Sequence, residues 1–182
     1  LGRIAALARP LVISTGMSTL DEVEDAAACI AAHGNPPVAW LHCVSCYPAP
    51  VQESNLRAMD SLRIAIGGPV GMSDHSPGAE VSLAAVARGT QVIEKHLTLD
   101  RRMSGPDHAA SIEPAELKAL IRSVRLVESA IGDGVKRPTP SERDTAEVAR
   151  RSLVVARDLP AGHVVMMGDI VVKRPGTGIP PD

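Results

Sequence analysis

Four short apolar runs, each followed by a stretch with helical spacing, fill the first 132 residues and leave few folds open. The runs are "RPLVISTGM", "PVAWLHCVS", "PVGMSD" and "QVIEKHLT", with strand starts near residues 11, 38, 70 and 91. Their length and β-branched content read as buried strands. After the first run, "STLDEVEDAAACIAAHG" opens with Thr19 and Glu22 at capping-box spacing and stops at Gly34. "NLRAMDSLRIAI" and "GAEVSLAAVARG" supply the next two helices, the second closed by Gly89. Pro114 then opens a long helix to about Ile131, with Leu117, Leu120, Ile121, Val124 and Val127 along one stripe. Such alternation implies an α/β fold with a parallel sheet, either open and doubly wound or a (β/α)8 barrel. No glycine-rich phosphate fingerprint follows the first strand, which weighs against a dinucleotide-binding sheet. Four units make half a barrel.

Beyond residue 132 the character changes. Residues 133–150 are polar and proline-bearing and read as a linker. Residues 151–182 hold short β-branched runs parted by "LPAG" and "MGD" turns, the beginning of a small β-rich domain. The opening "LGRIAALA" reads as helix interior, so the sequence is expected to be a fragment: residues 1–132 the C-terminal half of a barrel, and 151–182 an incomplete second domain.

Composition excludes some roles. Net charge is −2 with acids and bases interspersed, which argues against nucleic acid or a membrane surface as partner. No apolar run approaches the roughly 20 residues of a membrane span. The three cysteines, Cys29, Cys43 and Cys46, sit in apolar settings and read as reduced packing residues, which points to the cytoplasm. Cys43 and Cys46 lack the second pair a zinc site would need.

Polar residues gather at the C-terminal ends of the runs: Ser14, Ser45 with Tyr47, Ser73 with His75, and His96. Barrel enzymes place their active sites on that rim. Strand alternation puts Ser73 and His75 on one face, and Glu94 one layer beneath His96 on another. If both faces line the lumen, two imidazoles converge, a pattern that suits a divalent metal with positions left for water and substrate oxygens. Glu94 would then accept from a histidine and fix its tautomer. The bland alternative is a pair of packing histidines. Asp74 and Lys95 have the opposite parity and should pair locally or face the helices. His42 reads as packing, His33 as a helix-end residue and His163 as an exposed turn residue.

Six segments, "PLVISTGMSTLDEVEDA", "LHCVSCYPAPVQESNLRAM", "SDHSPG", "VIEKHLTLDR", "SGPDHAAS" and "VKRPGTGI", together resemble the sialic acid synthase family, which includes the N-acetylneuraminate, legionaminate and pseudaminate synthases. The resemblance implies a (β/α)8 TIM barrel followed by an antifreeze-like SAF domain. It implies condensation of phosphoenolpyruvate with an N-acetylated hexosamine, releasing phosphate and giving a nine-carbon 2-keto sugar acid. His75 and His96 match the family's metal ligands, for Mn2+ or Mg2+, and are the catalytic pair. Ser14 and Ser73 match serines on the phosphoenolpyruvate phosphate. Tyr47 and Asp107 match residues on the sugar side, and Ser45 stands where some members have Asn. Leu97 replaces the Phe usual after "EKH", and Met72 stands where an aromatic is common. The family also implies a homodimer with the SAF domain exchanged between subunits. The rival expectations are another metal-dependent aldol-type barrel, or a non-catalytic fragment inactive by itself.

Overall fold

The computed structural model describes residues 1–181, which divide into two compact units, Leu1–Gly132 and a second that begins at Asp133. The first unit carries a short helix α1 (Gly2–Ala5) and then four strand–helix repeats. These are β1 (Leu11–Ser14) and α2 (Leu20–Ala32), β2 (Val38–Cys43) and α3 (Ala58–Ile66), β3 (Val70–Asp74) and α4 (Glu80–Ala87), and β4 (Ile93–Lys95) and α5 (Pro114–Ile131). The strands form one parallel sheet in the order β1-β2-β3-β4, so α2, α3 and α4 are crossovers between neighbours.

Local sequence explains the boundaries. The Thr19 hydroxyl accepts from the Glu22 backbone, and the Glu22 carboxylate accepts from the Thr19 backbone at 2.7 Å, completing the expected capping box. Pro114 stands in the first turn of α5, where its missing N–H costs nothing. β4 is shorter than the apolar run that holds it. The Thr90 hydroxyl shares its one hydrogen between the carbonyls of Val70 and Val92, and regular pairing begins only at Ile93.

Parity then sorts the two faces of the sheet. Trp40, Val70 and Met72 point at the helices and pack with Val23 and Ile30 of α2, Met59 and Leu62 of α3, and Val81 and Ala85 of α4. With two aromatic residues in the whole chain, this core is built from aliphatic side chains and methionine, with Trp40 as its largest member. Each Val, Leu, Ile or Met among them contributes roughly 1.5–3 kcal/mol when fully buried. The other face carries Val12 and Ser14, Leu41 and Cys43, Gly71 and Ser73, and Glu94.

The second unit holds α6 (Arg143–Ala149) and an antiparallel pair, β5 (Ser152–Val155) with β6 (Ile170–Lys173). Its turn is organised by Asp169, 3 % exposed, which accepts from His163 Nε2 at 2.7 Å, Arg157 at 2.6 Å and the Met166 backbone at 3.1 Å. His163 is exposed in its turn, as expected, and its bond to Asp169 also fixes that turn. Those hydrogen bonds, led by the one from His163, hold the Asp169 carboxyl below its ordinary range.

Candidate active site

At the C-terminal ends of β2, β3 and β4, the face turned away from the helices continues into a cluster of four side chains. Ser73 and Glu94 stand opposite each other in the β3–β4 register, and His75 and His96 follow one rung higher. Their ring centroids lie 5.0 Å apart with the planes at 81°. Tyr47, from the proline-rich loop after β2, leans over both rings, with centroids 4.3 Å from His75 and 5.4 Å from His96. The loop is tied down because the Ala49 N–H donates to the His75 carbonyl at 2.9 Å. Asp107 approaches from the far side, its carboxylate 3.9 Å from His96 Nδ1.

The tautomer of His75 follows from its partner. Nδ1 lies 2.9 Å from the Val44 carbonyl oxygen, which can only accept, so Nδ1 carries the hydrogen. In the neutral ring this leaves the Nε2 lone pair free, the form in which imidazole ligates metals. Sequence parity had assigned that orienting role to Glu94. The structure gives Glu94 a different partner: Ser73 Oγ donates to Glu94 Oε1 at 2.7 Å. The reason is height, since the carboxylate meets its neighbour in its own rung and the histidines lie a rung above.

The three serines do not share one level. Ser73 is 2 % exposed on the Glu94 rung. Ser45 lies in the loop after β2, its hydroxyl 3.8 Å from the Cys43 sulfur. Ser14, at the end of β1, is exposed and pairs in register with Leu41, a full rung below Ser73, with no hydrogen bond from its side chain among the described residues.

Sequence reasoning passed over several neighbours. Cys43, read as packing, faces the same cluster with its sulfur 3.8 Å from His75 Nδ1; its shared parity with Ser45 was the available signal. Thr98 and His108 join at 2.8 Å between Thr98 Oγ1 and His108 Nδ1, and the Ser111 hydroxyl donates to the Asp107 carbonyl at 2.7 Å. These bonds fix the loop that presents Asp107, and no motif announced them. His42 keeps its expected packing role, with Nε2 2.8 Å from the Ser54 carbonyl. His33 caps α2, with Nδ1 2.7 Å from the Cys29 carbonyl.

Behind the site, on the helix side, Asp74 and Lys95 form a buried ion pair at 3.0 Å, as their parity suggested. Burial alone would raise the Asp74 carboxyl; hydrogen bonds from Ser76 and Ser82, with the Lys95 charge, reverse that and hold it below its ordinary value.

Comparison with known proteins places this arrangement. The NeuB family model matches residues 1–136, and the SAF domain model matches residues 150–182. The chain belongs to the NeuB family. It is 46 % identical over 181 residues to the N,N'-diacetyllegionaminic acid synthase of Campylobacter jejuni, covering 98 % of this chain and 54 % of that one. Against the N-acetylneuraminate-9-phosphate synthase of Homo sapiens it is 39 % identical over 184 residues, covering 100 % of this chain and 51 % of that one. The chain spans about half the length of these curated relatives. Among solved structures, the N-acetylneuraminic acid (sialic acid) synthetase of Leptospira borgpetersenii in complex with citrate superposes with a TM-score of 0.73 at 36 % identity, covering 80 % of this chain and 51 % of that one. The parallel sheet with its crossover helices is thus the architecture of synthase-type relatives. Among the described residues, this NeuB-family chain has no helix long and apolar enough to cross a membrane.

Proposed function

We propose that this chain supplies the metal-bearing rim of an enzyme that joins phosphoenolpyruvate to an N-acetylated hexosamine, N-acetylmannosamine or a diacetamido relative. The products are phosphate and a nine-carbon 2-keto sugar acid. In this reading the sheet is the C-terminal half of a (β/α)8 TIM barrel, followed by the SAF domain, in a cytoplasmic homodimer that exchanges SAF domains. Synthase names among the relatives support the reaction class.

The observation that carries the reading is the His75–His96 pair at 5.0 Å between ring centroids. Together with the bond that frees His75 Nε2, it is the donor set that Mn2+ or Mg2+ would find here. Among the described residues no group of three or more His, Cys, Asp or Glu is placed to hold a metal, so two imidazoles would be the protein's share, leaving positions for water and substrate oxygens. When bound, such an ion supplies Lewis-acid polarisation of the sugar aldehyde oxygen.

The chain's own residues do the rest. Ser73, buried beneath the histidines, offers a hydroxyl to the phosphate side; Ser45, in the loop after β2, and Ser14, a rung lower on β1, are the further hydroxyls assigned to substrate. Tyr47, against both rings, and Asp107, beside His96, line the sugar side. The condensation itself forms a bond from the phosphoenolpyruvate methylene carbon to the aldehyde carbon. Water adds at the enol-ether carbon, and phosphate departs with the bridging oxygen.

That last feature gives the test. The active enzyme carrying these residues is incubated with Mn2+, a candidate sugar and phosphoenolpyruvate labelled with 18O at the bridging position. The expected result is sugar-dependent release of labelled phosphate. Label retained in the organic product, as another aldol-type barrel with P–O cleavage would give, overturns the reading.

A further inference from the structure

We propose that the buried Asp74–Lys95 pair is a positioning device that sets the separation of the two rim histidines. The inference rests on the metal reading of His75 and His96, and it concerns the opposite face of the sheet.

The geometry is specific. Asp74 is the residue before His75, and Lys95 is the residue before His96. Asp74 and Lys95 are partners in the β3–β4 register, and their side chains are 0 % and 4 % exposed. The Lys95 ammonium donates to Asp74 Oδ2 at 3.0 Å and also to the Ser76 carbonyl at 2.7 Å. It therefore reaches across from β4 and grips β3 on both sides of His75. Asp74 closes the same turn from within: Oδ1 accepts from the Ser76 N–H at 2.8 Å and the Ser76 hydroxyl at 2.6 Å. Oδ2 further accepts from Ser82 Oγ at 2.5 Å, which ties the turn to α4.

Stability alone does not call for this arrangement. A buried ion pair loses much of its attraction to desolvation, and apolar residues of similar volume often serve as well. What charged hydrogen bonds provide and an apolar pair cannot is direction. Five hydrogen bonds from four donor groups converge on one carboxylate and one carbonyl flanking His75, and the ammonium among those donors comes from the residue flanking His96. A one-residue slip or a splaying of β3 from β4 would break several of them at once. The histidine backbones are tied from the front as well, with the His75 carbonyl accepting from Ala49 and the His96 carbonyl from Ile112, both at 2.9 Å. The pair thus fixes where two imidazoles begin, and so whether they can share one ion.

The test uses the full-length enzyme and Mn2+ alone, without substrates, reading affinity from the electron paramagnetic resonance of free Mn2+. Lys95→Met keeps the stem and removes the grip. Mn2+ affinity should fall roughly 10–100-fold, the range seen when residues supporting metal ligands are lost. Leu62→Ala, a core truncation in α3 away from the rim, serves as the control: it should lower Tm and leave Mn2+ affinity unchanged. If Lys95→Met does not fold, Ser82→Ala decides, with a smaller loss in the same direction expected. Wild-type affinity in a folded Lys95→Met or Ser82→Ala enzyme overturns the inference. Absence of saturable Mn2+ binding in the wild type instead overturns the metal reading and this inference with it.

Discussion

Removing the Ser73 hydroxyl tests the substrate side of the site with a magnitude the geometry constrains. A hydrogen bond from a hydroxyl to a charged group is worth about 1.5–3 kcal/mol. Ser73 has one hydroxyl hydrogen, and it is already engaged with Glu94 at 2.7 Å. Donating to the phosphate of phosphoenolpyruvate means taking that hydrogen from the carboxylate, so the net gain is the difference between two charge-assisted bonds. The Ser73→Ala effect should therefore not exceed about 1.5 kcal/mol, which caps it at roughly tenfold at 1.4 kcal/mol per decade. It should appear as a raised KM for phosphoenolpyruvate with the sugar KM within about twofold of wild type. The assay is phosphate release with each substrate varied while the other saturates. Glu94→Gln is the companion: its amide oxygen still accepts from Ser73 but no longer repels a phosphate, so the KM for phosphoenolpyruvate should fall. An unchanged KM for phosphoenolpyruvate in Ser73→Ala, with a weakened sugar, would show that the hydroxyl faces the other substrate.

Three more outcomes are expected. His75→Ala should abolish Mn2+ binding measured by calorimetry while costing about 1 kcal/mol in urea denaturation, the worth of its bond to Val44; retained Mn2+ affinity would refute the ligand assignment. Gly71→Ala should destabilise by about 1–3 kcal/mol, because a Cβ there would stand 2.6 Å from the Val92 carbonyl oxygen, and an unmoved urea midpoint would contradict it. Asp74 has a folded-state pKa below its ordinary value of 3.8, so its contribution is complete above that pH and drains away as acid carries the pH down through the lower folded value. Asp74→Asn should accordingly flatten the acid limb of stability against pH, and parallel acid limbs in variant and wild type would be the contrary result.

What could be read beforehand was whatever depends on neighbours in sequence. The Thr19–Glu22 box, Pro114 at a helix start and the four strand starts are local signals, and they placed the elements. Parity likewise assigned faces, which is why His75, His96, Ser73 and Glu94 emerge on one side and Asp74 with Lys95 on the other. Parity is silent about height across strands. Ser14 could not be seen to lie a rung below Ser73, nor Glu94 to meet a serine instead of a histidine, since register between strands depends on crossover length and packing. The acceptor that orients His75 is the backbone carbonyl of Val44, which every residue type carries, so no sequence pattern marks it. The anchoring of the Asp107 loop through Thr98 and His108 is equally a product of chain folding over ten residues.

The sparse aromatic content has an optical consequence. Trp40, 4 % exposed against the helices, is the only tryptophan, and Tyr47 is the only tyrosine in a chain without phenylalanine. Near-ultraviolet emission therefore originates wholly from Leu1–Gly132, and the unit beyond Gly132 is dark at these wavelengths. Tryptophan fluorescence follows the sheet core without labelling. Tyr47, lying over both imidazoles, is a natural absorbance probe of the rim, so changes at the rim and melting of the core can be recorded as separate signals from one unmodified sample.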